Sequence, residues 1–286
     1  MHAMTGANGR LGRDIAASVA DLGKTDEVVL LTRDPDAVGD LRDCGFDIRR
    51  ADFGDTESMT AALEGIDTLL MISATGPASV RIPLHRSAFD AIENSEVRKV
   101  VYTSRVAPYS SSPYPCAAIH EYSEERLKSL KGSYTILRNN EYAENLERYL
   151  SEAERTGILR YGAKGPIAFI ARRDVVAAAV AAFFDDTATD KVYELSGPEA
   201  LDRVHLAAAL SEATGKTIAC DDGTAEAFSE TARSMGEPDF ISEMRIGLYR
   251  ASELGEWMAT MPDDTRSLLP TEPTPVSQYI KASFGN

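Results

Sequence analysis

The sequence has few of the features that would place the chain outside the cell or in a membrane. Its three cysteines, Cys44, Cys116 and Cys220, are far apart and odd in number, which predicts reduced thiols rather than a disulfide framework. The N-terminus lacks the positive, apolar and small-residue order of a signal peptide, and no apolar run approaches the ~18 residues of a membrane span. These absences predict a cytoplasmic protein without a membrane partner.

Positive charge is scarce as well. The 30 Lys and Arg against 45 Asp and Glu give a formal net charge of −15, which argues against nucleic acid as a partner because counterion displacement needs a positive surface. The four histidines stand in no spacing typical of metal ligands, so no metal site is predicted. With 43% apolar residues over 286 positions, a sizeable globular core is expected.

A glycine-rich turn near the start carries the first functional signal. Three glycines recur at three-residue spacing in Thr5-Gly6-Ala7-Asn8-Gly9-Arg10-Leu11-Gly12, between strand-like residues and a helical pattern. A diphosphate can approach such a turn closely, and the following helix offers unpaired N–H groups and a partial positive charge. The pattern predicts a dinucleotide cradle formed by Gly6, Ala7, Asn8, Gly9, Arg10, Leu11 and Gly12; an ordinary glycine-rich turn is the alternative.

The next strand supplies the cofactor selector. Residues 27–31 read as a buried strand, and the first polar side chain after it is Arg33, which suits the 2′-phosphate of NADP. NADP(H) is therefore the preferred cofactor, with NAD(H) left open because Asp34 follows directly. Asp34 also fits as the cap of the next helix, with Pro35 at its first position. Arg10 is either a second cation near the 2′-phosphate or a solvated side chain.

Further strands are predicted over residues 46–53, 67–73 and 98–104, alternating with helices. This order predicts an α/β fold, a Rossmann doubly wound parallel sheet with its ligand crevice outside the carboxyl ends of the strands. Candidate cofactor contacts at those ends are Asp52, Phe53, Ser73, Ala74, Thr75, Thr103 and Ser104. For the first five of these, an ordinary turn is the alternative.

The catalytic pair of a typical short-chain dehydrogenase is missing. No tyrosine is followed by lysine four residues later; the nearest pattern is Tyr122 with Arg126. In its place a helical segment puts His120 and Glu124 one turn apart on one face.

These features together resemble a known family. The glycine turn, the Arg33 strand end, the Tyr-Thr-Ser at 102–104, the His120-x-x-x-Glu124 helix and the strand 134–139 leading to Tyr142 are similar to NmrA-like atypical short-chain dehydrogenases. Within that group the chain is most similar to NAD(P)H-dependent quinone oxidoreductases and triphenylmethane reductases. The resemblance continues through 167–174, where Asp174 is expected to cap an alanine-rich helix. The sequence departs where the family has Asn-Gly-Trp-Tyr, because Asn140 and Glu141 replace the middle residues, which would alter a pocket wall.

The resemblance implies an NAD(P)H-dependent oxidoreductase that transfers hydride to a quinone or a similar conjugated small molecule. Charge on such an acceptor is delocalised, so one hydrogen-bond donor and solvent can supply the proton. His120 is the candidate donor, with a helix-start residue bonded to backbone as the alternative. Glu124 would orient His120 or hold the nicotinamide ribose, and Tyr142 and Asn139 would neighbour the nicotinamide or substrate.

A different class of function stays open. Some NmrA-like proteins bind NAD(P) and regulate a protein partner without turnover, so a redox sensor is the alternative to the enzyme. A nucleotide-sugar epimerase or dehydratase comes third, because that chemistry needs the missing tyrosine and lysine. A homodimer is compatible with either reading.

Two domains are expected. Residues 1–145 would form the NAD(P)-binding Rossmann domain, and residues 146–286 a smaller α+β substrate-capping region that packs partly back on the sheet. Large apolar residues in the second region, namely Phe240, Ile241, Met244, Trp257 and Met258, are expected in its core. The first strand is short, so the natural start is expected a residue or two upstream.

Overall fold

The computed structural model describes residues 1–257 and 263–285, and its strands follow the chain in the order β1 (His2–Thr5), β2 (Val28–Thr32), β3 (Asp47–Arg50), β4 (Thr68–Met71), β5 (Lys99–Arg105), β6 (Ser133–Asn139), β7 (Ile158–Leu159), β8 (Lys191–Leu195) and β9 (Ala219–Cys220). Seven of them form one sheet with the order β3-β2-β1-β4-β5-β6-β8, whereas β7 and β9 pair separately. The pairs from β3 to β5 are parallel.

Helices connect the strands. They are α1 (Arg10–Asp21), α2 (Gly39–Asp43), α3 (Thr56–Ala62), α4 (Ala78–Glu93), α5 (Ala117–Lys128), α6 (Glu147–Thr156), α7 (Arg172–Phe184), α8 (Arg203–Thr214), α9 (Ala225–Ser234), α10 (Asp239–Glu253), α11 (Asp263–Leu268) and α12 (Val276–Phe284). Short 3₁₀ turns lie at Thr25–Glu27, Asp36–Val38 and Ala143–Leu146.

The sheet confirms the predicted fold class. Every residue of β2 and β4 is buried, as expected of parallel strands covered on both faces, and their runs Val-Val-Leu-Leu-Thr and Thr-Leu-Leu-Met are almost purely apolar. The strand order reverses between β1 and β4, which places the topological switch point, and hence the expected crevice, at the carboxyl ends of these two strands.

Two local predictions need correction. The third strand covers Asp47–Arg50, shorter than residues 46–53. Asp174 lies inside the first turn of α7, so it is not the cap; its buried carboxylate accepts hydrogen bonds from the backbone N–H and the hydroxyl of Thr274.

The chain divides into two compact units, each built from separate stretches. The first comprises Met1–Ser104, Ile119–Arg138 and Val176–Tyr193, and the second Arg105–Ala118, Asn139–Val175 and Glu194–Asn286. Residue 145 lies inside the stretch Asn139–Val175 of the second unit. The domain boundary expected at residue 145 stays a prediction. Among the residues described, no helix is both long and apolar enough to cross a membrane.

The expected apolar residues of the second unit are buried to different degrees. Trp257 is almost fully buried, whereas Phe240, Ile241 and Met244 on α10 are partly exposed. Met258 lies outside the described residues.

Candidate active site

The glycine turn between β1 and α1 has a steric reason for two of its three glycines. Gly6 has φ of +72°, a left-handed conformation that side chains disfavour. A Cβ on Gly12 would lie 2.1 Å from the carbonyl oxygen of Gly6, so the first turn of the helix can approach the loop only without a side chain. The N–H of Gly9 donates to the same carbonyl at 2.9 Å, which closes the turn.

The N-terminus of α1 has no side-chain cap. Gly9 is the N-cap residue and offers no side-chain acceptor. The first N–H groups of an α-helix have no partner within the helix. Here the first N–H group that bonds back along the helix is that of Arg13, which donates to the Gly9 carbonyl at 2.9 Å. This arrangement suits an anion such as a diphosphate.

A cleft of about 420 Å³ opens beside this turn. Nine residues predicted to contact the cofactor line it: Gly6, Asn8, Gly9, Arg33, Asp52, Phe53, Ser73, Ala74 and Thr75. The sequence analysis did not single out the apolar part of the wall, which is formed by Leu31, Ala51, Met59, Ile72 and Leu84. Their position at or just beyond strand ends is the signal that would have found most of them.

The selector region gives Arg33 and Asp34 different surroundings. Both side chains are exposed and line the cleft. The carboxylate of Asp34 accepts the backbone N–H of Asp36 at 3.1 Å, so it fixes the turn before the 3₁₀ segment, close to its predicted capping role. Arg33 has no such role in the turn, and Arg10 is exposed at the start of α1.

Other predicted cofactor residues lie outside the lining. Ala7 and Gly12 are buried under the turn, and Leu11 is partly buried. Thr103 accepts the N–H of Ser73 at its hydroxyl at 2.9 Å, so it holds the loop after β4 in place. The hydroxyl of Ser104 donates to Glu124 at 2.7 Å.

Glu124 is held by several donors in the first unit. Its carboxylate, almost fully buried, receives two hydrogen bonds from Arg138, at 2.9 and 2.7 Å. Ser104 binds one of the oxygens and Lys128 lies 3.4 Å from the other. These partners hold the carboxylate in one orientation.

His120 is buried on α5 beside β5. Its Nε2 lies 3.2 Å from an Nη of Arg81, and its Nδ1 lies 3.0 Å from the hydroxyl of Tyr102. Burial raises the pKa of Tyr102 to about 12, so the phenol stays protonated at neutral pH. Arg81 and Tyr102 therefore orient the His120 ring.

Two residues of α4 were missed by the sequence analysis. Arg81 and His85 are both buried, one helical turn apart. They follow the apolar spacing that continues to Ala88 and Ile92, which is the available signal: two polar residues on the inner stripe of a helix are unusual and need partners.

The predicted residues of the second unit form a pair of their own. The side-chain amide of Asn139 donates to the hydroxyl of Tyr142 at 3.0 Å. Burial raises the pKa of Tyr142 above its ordinary value. Glu141, at the departure from the family pattern, is buried, accepts a hydrogen bond from Asn145 at 3.0 Å and lies 3.7 Å from Arg245 of α10. Its carboxylate is thus neutralised by a cation on α10.

A parallel sheet with a glycine turn, an uncapped helix and a cleft at its switch point defines a nicotinamide-dinucleotide-binding protein. Comparison with protein families agrees, because residues 6–186 match the family described as NAD(P)H-binding. The chain belongs to this NAD(P)H-binding family, within its NmrA-like members, and is an NAD(P)H-dependent oxidoreductase by its relatives.

Individual relatives cover nearly the whole chain. Quinone oxidoreductase 2 of Escherichia coli (strain K12) is 32% identical over 272 residues, which are 94% of this chain and 92% of the relative. The crystal structure of an NADPH-dependent quinone oxidoreductase from E. coli, complexed with NADPH, superimposes with a TM-score of 0.92 at 29% identity over 100% of both chains. The triphenylmethane reductase of Citrobacter sp. shares the fold, with a TM-score of 0.91 at 24% identity over 99% of both chains.

Proposed function

We propose that this chain is a reductase that prefers NADPH and transfers hydride to a quinone or a similar conjugated acceptor. The observation that carries the cofactor preference is that Arg33 is exposed and lines the cleft, near a helix N-terminus without a side-chain cap. The relative named as a quinone oxidoreductase supports the acceptor class.

The bound dinucleotide supplies the hydride, and the chain supplies position and electrostatics. The diphosphate would lie against Gly6, Asn8 and Gly9. The loop of Ser73, Ala74 and Thr75 would pass beside the ribose of the nicotinamide. These assignments follow from the place of the residues at the carboxyl ends of β1 and β4. The fixed cleft then lowers the entropic cost of bringing donor and acceptor together.

His120 and Tyr142 are the candidate groups for the developing oxyanion. His120 carries the role assigned to it from the family resemblance, with one amendment: Arg81 is only a donor, so Nε2 accepts in this arrangement and the proton sits on Nδ1 toward Tyr102. Donation by His120 then requires a relay through Tyr102 or a turn of the ring. Tyr142 is the second candidate, because its hydroxyl accepts from Asn139 and keeps its own proton for donation.

Glu124 has a supporting part in this proposal. Its oxygens are bound by Ser104, Arg138 and Lys128, so it fixes α5 against the ends of β5 and β6 within the first unit. We propose that this anchoring fixes the position of α5, and with it that of His120, relative to the ends of these two strands. Residues after 145 would select the acceptor.

The test is a paired measurement on the purified chain. NADPH oxidation is followed at the nicotinamide absorbance with a panel of simple quinones, while calorimetry gives Kd for NADPH, NADP⁺ and NADH. We expect turnover of at least some quinones together with tight NADPH binding. Reactions without protein and with heat-denatured protein measure direct chemical reduction of the quinone.

Two outcomes would count against the proposal. Tight NADPH binding without turnover on any acceptor would favour a redox sensor with a protein partner. Weaker binding of NADPH than of NADH would remove the cofactor preference and with it the role given to Arg33.

A further inference from the structure

His85 joins two parts of the cofactor cleft to α5. Its Nε2 accepts the backbone N–H of Ala74 at 3.1 Å, and its Nδ1 lies 2.8 Å from the hydroxyl of Ser123. The ring also packs edge-on against Phe53, with centroids 5.8 Å apart. Ala74 and Phe53 both line the cleft, and Ser123 lies one turn after His120 on α5. His85 itself is fully buried.

The hydrogen bonds of His85 fix its tautomer. A backbone N–H can only donate, so Nε2 is the unprotonated nitrogen and Nδ1 carries the proton. The Ser123 hydroxyl accepts a hydrogen bond from this N–H and donates one to the carbonyl of Ile119 at 2.7 Å. Burial and the neighbouring charge of Arg81 lower the pKa of His85 to about 3, in agreement with a neutral ring.

Arg81 forms a second connection of the same kind. One Nη donates to the Ser73 hydroxyl at 2.6 Å and also lies 3.2 Å from Nε2 of His120. The side chain is 6% exposed, and within residues 1–257 and 263–285 it has no carboxylate at ion-pair distance. The guanidinium therefore contacts Ser73, in the loop that lines the cleft, and His120.

We propose that Arg81 and His85 are positioning residues that hold the wall of the cofactor cleft in register with the helix that carries His120. They start one turn apart on α4, contact the consecutive residues Ser73 and Ala74 at one end, and reach His120 and Ser123 on one face of α5 at the other. Arg81 also sets the tautomer of His120, with its proton on Nδ1. The link of this arrangement to turnover rests on the proposed reductase function.

The first test reads the tautomers directly and needs no turnover. Long-range ¹H–¹⁵N spectra of the imidazoles at neutral pH are assigned with single-histidine variants, since the chain has 4 histidines. We expect both His85 and His120 to carry the proton on Nδ1. Arg81→Met should release His120 into a mixture with the Nε2–H form and leave His85 unchanged. The matched control is Arg86→Met, an exposed arginine on the same helix.

The second test measures the cleft wall through cofactor affinity. His85→Leu removes the acceptor for the Ala74 N–H, so Kd for NADPH should rise about tenfold, the equivalent of ~1.4 kcal/mol. His85→Gln places an amide oxygen near the position of Nε2 and should restore most of the affinity. Thermal unfolding of both variants shows whether the fold is intact, and His85→Gln alone decides if the leucine variant does not fold.

Defined results would overturn the inference. A wild-type His120 with its proton on Nε2, or one whose tautomer ignores Arg81→Met, would exclude the role of Arg81. Equal NADPH affinity in wild type and in a folded His85→Leu, or a folded His85→Gln that binds as weakly as the leucine variant, would exclude the role of His85. If the tautomers and affinities agree but no quinone is reduced, the proposed function fails while the positioning stands.

Discussion

At the scale of single residues, we expect the side chains that follow β2 to decide which cofactor binds. The Asp34 carboxylate bonds to its own turn, which leaves Arg33 as the charged group of the cleft wall beside it. Arg33→Glu should therefore raise Kd for NADPH by roughly 10- to 100-fold, the range of a lost charge-assisted contact, and change Kd for NADH little. Calorimetry with both cofactors measures this, with Arg86→Glu as a charge-matched control. Equal losses for the two cofactors would show that Arg33 does not contact the 2′-phosphate.

The proton donor is the second question at this scale. His120→Ala should lower kcat by about 10²- to 10⁴-fold, the usual range for a general acid, with NADPH affinity nearly unchanged. Tyr142→Phe is the companion variant, because it removes one hydroxyl and keeps the ring. Whichever substitution lowers kcat identifies the donor; unchanged kcat in His120→Ala would remove that residue from the mechanism.

Residue identities were predictable where one local rule decides them. The glycine turn at Gly6 and the place of Arg33 at the cleft, just after β2, follow from the local pattern alone. The partners of Arg81 and His85 were not, because Ser73 and Ser123 approach them only in the folded sheet-and-helix layer. The spacing in the sequence shows two polar residues on the inner face of α4, but it does not show which groups form hydrogen bonds with them.

At the scale of elements, the junction of β1 and α1 is the most constrained. Gly12→Ala would place a methyl group 2.1 Å from the Gly6 oxygen, so the start of α1 must move away from the loop. We expect a loss of about 1–3 kcal/mol in the free energy of unfolding, together with weaker NADPH binding. Chemical denaturation and calorimetry measure the two effects.

A matched substitution serves as the control for this element. Gly39, at the start of α2, has open space where its Cβ would lie, so Gly39→Ala should leave stability unchanged or raise it by up to ~1 kcal/mol. A Gly12→Ala protein that unfolds and binds NADPH like Gly39→Ala would contradict the packing argument.

Elements were predicted better than their ends. The alternation of apolar runs and helical spacing was enough to predict β2 and β4. Asp174 shows why the role of such a residue was harder to predict. An acidic residue near a helix start resembles a cap, yet the carboxylate of Asp174 accepts a hydrogen bond from Thr274, one hundred residues away along the chain. Contacts at such separation leave no local pattern.

At the scale of the whole molecule, the buried His85 makes stability depend on pH. Its pKa is lowered from 6.5 to about 3 in the folded protein, so between these values the unfolded chain binds a proton that the folded chain does not. Stability therefore falls as the pH falls, by up to ~1.4 kcal/mol per pH unit from this group.

The variant His85→Gln isolates this contribution. From pH 6.5 to pH 5 the wild type should lose about 2 kcal/mol more unfolding free energy than His85→Gln, measured by denaturant titration at both pH values. Carboxylates titrate in both proteins and cancel in the difference. The same loss in the two proteins would mean that His85 can take up a proton without unfolding.

The interleaved course of the chain has a consequence for synthesis on the ribosome. The edge strand β8 of the main sheet ends at Leu195, after the chain has already built parts of the second unit. Until about two thirds of the polypeptide has emerged, β6 has no neighbour on that side, and its backbone N–H and C=O groups are open to other nascent chains. Premature termination between residues 139 and 191 should thus yield aggregation-prone fragments, because they contain β6 without β8.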